Sequence, residues 1–132
     1  MNYNSKKINN LYVPISIGEL IDKVTILELK EIYLTGDSLN NVKLELSLLR
    51  EILNSQQIEI DDELLYRLKE VNKNLWNIED SIRIKEKNAE FDDEFINLAR
   101  SVYKENDQRA LIKRSINLQY NSNLLEEKSY KN

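Results

Sequence analysis

The chain has 132 residues, 41% of them hydrophobic and 32% charged, with a formal net charge of −4 at pH 7. That length is one domain by the usual size range, and the acidic balance offers no global field to draw in nucleic acid or an anionic membrane. With neither cysteine nor histidine, the composition excludes disulfides, thiol nucleophiles, the usual zinc sites and imidazole acid–base chemistry.

Two glycines and one proline leave little material for tight turns and argue for long helices. No apolar run approaches the length of a membrane span, and the opening MNYNSKKINN lacks the apolar core of a secretory signal. A soluble, cytoplasmic protein is expected, as a single domain over 1–132 with 1–12 and 126–132 loose.

Pro14 biases Val13 away from the helical region, so Leu11 to Ile15 should be extended. The clearest local signal follows in Ile15-Ser16-Ile17-Gly18-Glu19-Leu20. Ser16 with Glu19 reads as a capping box, and Ile15 with Leu20 as its hydrophobic staple. The helix they open should run from Ile17 to about Leu34. Gly36 suits the left-handed position that ends a helix, and Asp37 or Ser38 can cap a second helix reaching about Asn54. A third should start at Asp61, with Ile60 and Leu65 as staple, and continue to about Lys87. It carries Leu64, Leu68, Val71, Leu75, Ile78 and Ile82 at alternating spacings of four and three, a coiled-coil-like seam. Phe91-Asp92 repeats the starting device, with Ile96 as the staple partner.

The last long segment, from Asp92 to Asn117, is where the pattern turns unusual. At about 100° per residue, Phe95, Leu98, Ala99 and Val102 form an apolar stripe. The same line continues as Asn106, Arg109, Lys113 and Asn117. Charges are not buried without partners, so an in-phase row must face a partner, a ligand or a cleft. The alternative is that Asn106-Asp107 ends one helix and caps the next, which resets the phase and turns the row to solvent. Residues 92–119 are therefore one helix or two. Beyond them Tyr120, Leu124, Leu125 and Tyr130 suggest a tail that packs partly back. The sum is an all-α, compact up-and-down bundle of four to five helices.

Several acidic and basic positions could carry chemistry. In the first helix Ile17, Leu20, Ile21 and Val24 mark the core stripe, and Glu28 falls on its centre line with Glu31 beside it. The plain reading of Glu28 is a carboxylate at the bundle end that snorkels or pairs with Lys or Arg. Glu79 and Glu86 lie close to the third-helix seam with Arg83 between them, where the plain reading is surface pairing worth about a few tenths of a kcal/mol. Trp76 sits to the side of that seam, as a core-edge anchor. Glu28, Glu79 and Glu86 together could form an all-carboxylate Mg²⁺ site, since Mg²⁺ takes oxygen ligands and bound phosphates. Arg109, Lys113 and Asn106 would then meet the phosphates, Arg as a fork and Lys as a point charge. The start of the first helix, with Gly18 leaving room, is a further anion site in principle, although Glu19 competes for it.

Four stretches, VPISIGELIDKVTILELK (13–30), LWNIEDSIRIKE (75–86), FINLARSVYKENDQRALIKRSIN (95–117) and LLEEKSY (124–130), resemble a family of short bacterial and phage proteins known as a domain of unknown function. The resemblance covers most of the chain. It extends to Gly18, Glu19, Asp22, Lys23, Glu28, Lys30, Trp76, Glu79, Asp80, Arg83, Glu86, Arg100, Asn106, Asp107, Arg109, Lys113 and Asn117. Ile17 stands where the family pattern has proline. The resemblance implies fold and motif placement, and no reaction. An analogy with Mg²⁺-dependent helical bundles that hydrolyse nucleoside triphosphates is set aside: Glu28-x-x-Glu31 and Glu90-x-x-Asp93 lie too far apart in sequence.

The reading that follows is a polar cleft that binds a small anionic or phosphorylated metabolite, with Mg²⁺ as an optional companion and no nucleic-acid or membrane partner. Whether anything is turned over stays open; without His or Cys, catalysis would need a metal or a perturbed Glu or Lys. The competing reading is a non-catalytic interaction module that forms a homodimer or docks on a host or phage protein, its polar row a buried network that sets register.

Overall fold

The computed structural model describes residues 9–121. Of the loose ends expected at 1–12 and 126–132, residues 1–8 and 126–132 lie outside the described residues, as does the tail carrying Leu124, Leu125 and Tyr130. The elements are α1 (Ile17–Tyr33), α2 (Gly36–Ser55), α3 (Asp62–Lys87) and α4 (Asp93–Gln119), and no strand occurs among the described residues. The chain folds as an all-α bundle.

Three of the four helix starts carry the expected caps. The side chains of Ser16, Asp61 and Asp92 accept the backbone N–H of Glu19, Leu64 and Phe95, each satisfying a donor that the first turn leaves orphaned. α2 differs. Its N-cap is Thr35 with no side-chain hydrogen bond, so neither Asp37 nor Ser38 caps it. Gly36 has a positive φ of 62° as expected, but as the first residue of α2. Leu34 has already closed α1 by donating its N–H to the Lys30 carbonyl at 2.8 Å, so the left-handed glycine redirects the chain across a two-residue connection. α2 and α3 end on non-glycine residues in the left-handed region, Gln57 and Ala89, both with φ 53°. Beyond each, an N–H returns to the carbonyl five residues back, Ile58 to Leu53 and Glu90 to Lys85, the Schellman closure.

α1 is the central element, buried on more than one face. Val24 and Leu27 pack with Val42 and Leu46 of α2, whereas Ile21 joins Leu68 and Val71 of α3 with Ile112 and Ile116 of α4. Each fully buried Leu or Ile of this kind contributes about 1.5–3 kcal/mol. α2 lies against α1, and Leu53 near its end touches both clusters. Phe91 meets Phe95 edge-on, with ring centroids 5.3 Å apart, and the expected staple partner Ile96 is exposed.

α4 is one helix, with Asn106 in its interior. Phe95, Leu98 and Val102 are only half-buried and Ala99 is exposed, while Ile112, Lys113, Ile116 and Asn117 are buried. The polar half of the stripe is thus the better-covered half. The hydrogen bonds between α1 and α4 run from the first turns of α1 to Arg109, Lys113 and Asn117, which is where α4 acquires its cover.

Candidate functional site

Besides its apolar stripe, α1 turns Gly18, Asp22 and Thr25 inward, positions one and two turns apart on one side of a helix, and all three are buried. Gly18 permits the close approach of α4: a Cβ there would stand 2.5 Å from the Lys113 carbonyl oxygen and 2.9 Å from Asn117 Oδ1. Asn117 Oδ1 accepts the Gly18 N–H at 2.6 Å. The Nδ2 of the same buried amide has no hydrogen-bond partner among the described residues. With Gly18 N–H given to Asn117 and Glu19 N–H to Ser16 at 3.1 Å, the start of α1 is closed by the protein's own oxygens. This corrects the expectation that Gly18 leaves room for an anion there.

Asp22 is the centre of a polar network, 0% exposed. Its Oδ1 accepts from Arg109 Nε at 2.9 Å and from Asn72 Nδ2 at 2.9 Å, and its Oδ2 accepts from Arg109 Nη2. Asn72 Nδ2 also reaches Thr25 Oγ1 at 2.8 Å, and that hydroxyl donates to the Asp22 carbonyl at 2.8 Å. Arg109 Nη1 approaches Asn106 Oδ1 at 3.4 Å. Lys113, 4% exposed, donates to Glu19 Oε2 at 2.6 Å and lies 3.9 Å from Asp22 Oδ2. The fork of Arg109 matches the carboxylate in two-point fashion, so a buried charge that would be costly alone is held by several donors. One side chain on α1 thereby fixes the positions of both α3 and α4.

A cleft of about 410 Å³ opens beside this network, between α1, α3 and α4. Ile26, Leu29 and Leu75 form its apolar part; Asn72, Trp76, Glu79, Asp80, Arg83 and Arg109 form the rest. Tyr33 stacks on Trp76 at 5.1 Å between centroids and 16° between planes, so the tryptophan anchors the end of α1 and also lines the cleft. Glu79, Asp80 and Arg83 take part in no hydrogen bond or ion pair among the described residues.

The residues singled out from the sequence therefore separate. Asn106, Arg109 and Lys113 share the inward face of α4, but only Arg109 reaches the cleft. Of the three acidic residues, Glu79 lines the cleft, Glu86 is exposed, and Glu28 lies 3.8 Å from Arg50 and 3.7 Å from Lys69. Glu28 has the paired structural role of its plain reading. Among the described residues no three acidic side chains gather closely enough to hold a metal ion, so the Glu28, Glu79 and Glu86 cluster is not assembled. Periodicity missed the roles of Asp22, Thr25 and Asn72. The spacing of Gly18, Asp22 and Thr25 was the available signal.

A family model described as a family of unknown function (DUF6165) matches residues 11–132. No curated protein and no solved structure matches the chain.

Proposed function

The chain belongs to the DUF6165 family, and we propose that it binds a small molecule carrying an anionic group in the cleft between α1, α3 and α4. The observation that carries this reading is the unengaged Arg83 in the same 410 Å³ space as the Trp76 ring and the anchored Arg109. That volume lies within the ordinary range for metabolite pockets, about 300–1,000 Å³, which are mostly apolar with a few placed polar groups. Arg83 is the anion-contacting residue in this proposal. Arg109 forms a fixed wall whose orientation Asp22 and Asn106 maintain, and Lys113, buried on Glu19, supports that wall from beneath. Mg²⁺ would enter only as the companion of a phosphorylated ligand, with Glu79 and Asp80 the acidic residues at hand.

The test is a thermal-shift screen of carboxylated and phosphorylated metabolites, with and without Mg²⁺, on the parent protein and on Arg83→Gln. A stabilising hit that Arg83→Gln loses, with the melting temperature of the unliganded variant unchanged, supports the reading. A hit unaffected by the substitution places binding elsewhere.

A second reading, an interaction module, rests on a different observation. Leu11, Tyr12 and Val13 are more than 70% exposed and border an apolar groove of about 360 Å³ together with Leu48, Leu49 and Ile52 of α2. In that reading a second copy of the chain covers the groove. Sedimentation of the parent and of Tyr12→Ser across a concentration series tests it, because only a dimer through this surface would dissociate in the variant.

A further inference from the structure

The charges in the cleft narrow the ligand further, on the condition that the cleft is the binding site just proposed. Trp76, Glu79, Asp80 and Arg83 lie on one face of α3 at steps of three, four and seven residues, and all four line the cleft. Formally the lining holds two carboxylates and two guanidinium groups. Arg109, however, is already matched by Asp22 from within the fold. What a ligand meets is therefore two carboxylates, one guanidinium and an indole.

A polyphosphate would face a net repulsive lining. A simple cation would be repelled by Arg83 and a simple anion by Glu79 and Asp80, three exposed residues of the lining, so charge complementarity does the selecting. We infer that the cleft selects a zwitterion: a small molecule with a carboxylate or phosphate for Arg83 and an ammonium-type group for Glu79 and Asp80. The carboxylate pair and Arg83 are about one helical turn apart, so the two ligand charges should be separated by about 5 Å. The indole borders the cationic end, because Trp76 precedes the acidic pair by one turn. Tyr33 covers one face of that ring, and the other face would attract an ammonium group, quaternary ones included.

The sole tryptophan of the chain is Trp76, so its fluorescence reports on the cleft directly. Titration should compare three zwitterions (phosphocholine, phosphoethanolamine and γ-aminobutyrate) with the matched single-charge compounds glycerol phosphate, butyrate and choline, and with Mg-ATP. At least one zwitterion should bind about tenfold more tightly than its single-charge counterparts. In the combined Glu79→Gln, Asp80→Asn variant that preference should vanish while the anionic counterpart binds as well as the zwitterion. If glycerol phosphate, butyrate or Mg-ATP binds the parent as tightly as every zwitterion, the inference is overturned and the anion-binding reading stands. If choline alone binds, or if no compound changes the fluorescence or the melting temperature, both are overturned.

Discussion

Asp22 and Arg109 lie 87 residues apart in the chain, yet Arg109 Nε and Nη2 donate to the two oxygens of the Asp22 carboxylate. The Asp22 side chain is 1% exposed and that of Arg109 27%, so water does little to screen the pair and cannot readily replace either member. Removing one member of a buried pair typically costs about 3–5 kcal/mol.

Asp22→Asn should show this cost. It retains the volume but turns an amide N–H₂ toward a guanidinium, and it removes the carboxylate to which Arg109 Nε and Nη2 donate. The expected loss is roughly 3–5 kcal/mol, or a melting temperature lower by about 10–15 °C in a domain of this size. In a double-mutant cycle, Asp22→Asn with Arg109→Met should lose much less than the sum of the single changes. Additive losses would show that the two residues act independently.

Gly18→Ala tests the contact between α1 and α4. A methyl group there meets a backbone carbonyl at 2.5 Å, and that oxygen belongs to a continuous helix, so relief requires the two helices to separate. The expected cost is about 1–3 kcal/mol by urea denaturation, although alanine is intrinsically the better helix former. A neutral or stabilised variant would mean that the α1–α4 contact yields readily.

Most of the bundle was legible in the sequence because its cues are local. Ser16, Asp61 and Asp92 are followed within four residues by the amide each accepts and by an apolar position. The phase through Asn106 left one helix or two open over 92–119, and α4 is one helix. The site was less legible for a physical reason. A hydrophobic stripe identifies one buried face, but α1 is buried on several. Polar residues on its other faces are held by partners 47 to 87 residues away, which local periodicity cannot register. Glu28 shows the converse. It lies on the stripe's centre line, yet Arg50 and Lys69 converge on it from other helices and it stays partly exposed. The end of α3 at Lys87 was legible, but the left-handed backbone of Ala89 beyond it was not, because glycine is the usual signal for such a closing residue.

Ala89→Gly should stabilise the protein. Ala89 holds φ 53°, a region that costs a residue with a Cβ about 1–2 kcal/mol. Part of that gain is offset by the greater freedom of glycine in the unfolded chain. A net rise in unfolding free energy of about 0.5–1 kcal/mol is expected, and a loss would argue against this closure of α3.

Acid should loosen the α3–α4 connection before the core. The Phe95 backbone N–H, and after it the Lys85 ammonium, hold the Asp92 carboxyl below its ordinary value. Lys85 is correspondingly raised, first by Asp92 and then by Glu94. A depressed carboxyl contributes stability that is complete above its unfolded value of about 3.9 and is lost as pH falls through the folded value. A raised lysine contributes below its unfolded value and loses that contribution only in strong base. Amide exchange at Phe95 should therefore accelerate below about pH 4, relative to Ile116 in the core, and Asp92→Asn should remove the difference.

Lys113 separates scaffold from site most sharply. It continues the polar stripe of α4, which on the sequence alone favours an anion-facing role. Its ammonium group instead lies 2.6 Å from Glu19 and its side chain is 5% exposed, and the cleft is lined by Arg109 from one turn earlier. Lys113→Met keeps the aliphatic volume and removes the charge. Glu19, whose side chain is 40% exposed, can recover water, and Asp22 retains Arg109 and Asn72. The loss should therefore fall short of a stranded buried charge, at about 1.5–3 kcal/mol, the range for a hydrogen bond to a charged group. Ligand-dependent stabilisation at the cleft should persist in Lys113→Met and disappear in Arg83→Gln, whose unliganded stability should match the parent. If Lys113→Met instead melts with the parent and abolishes the response to ligand, Lys113 belongs to the binding site and the division of roles along α4 is reversed.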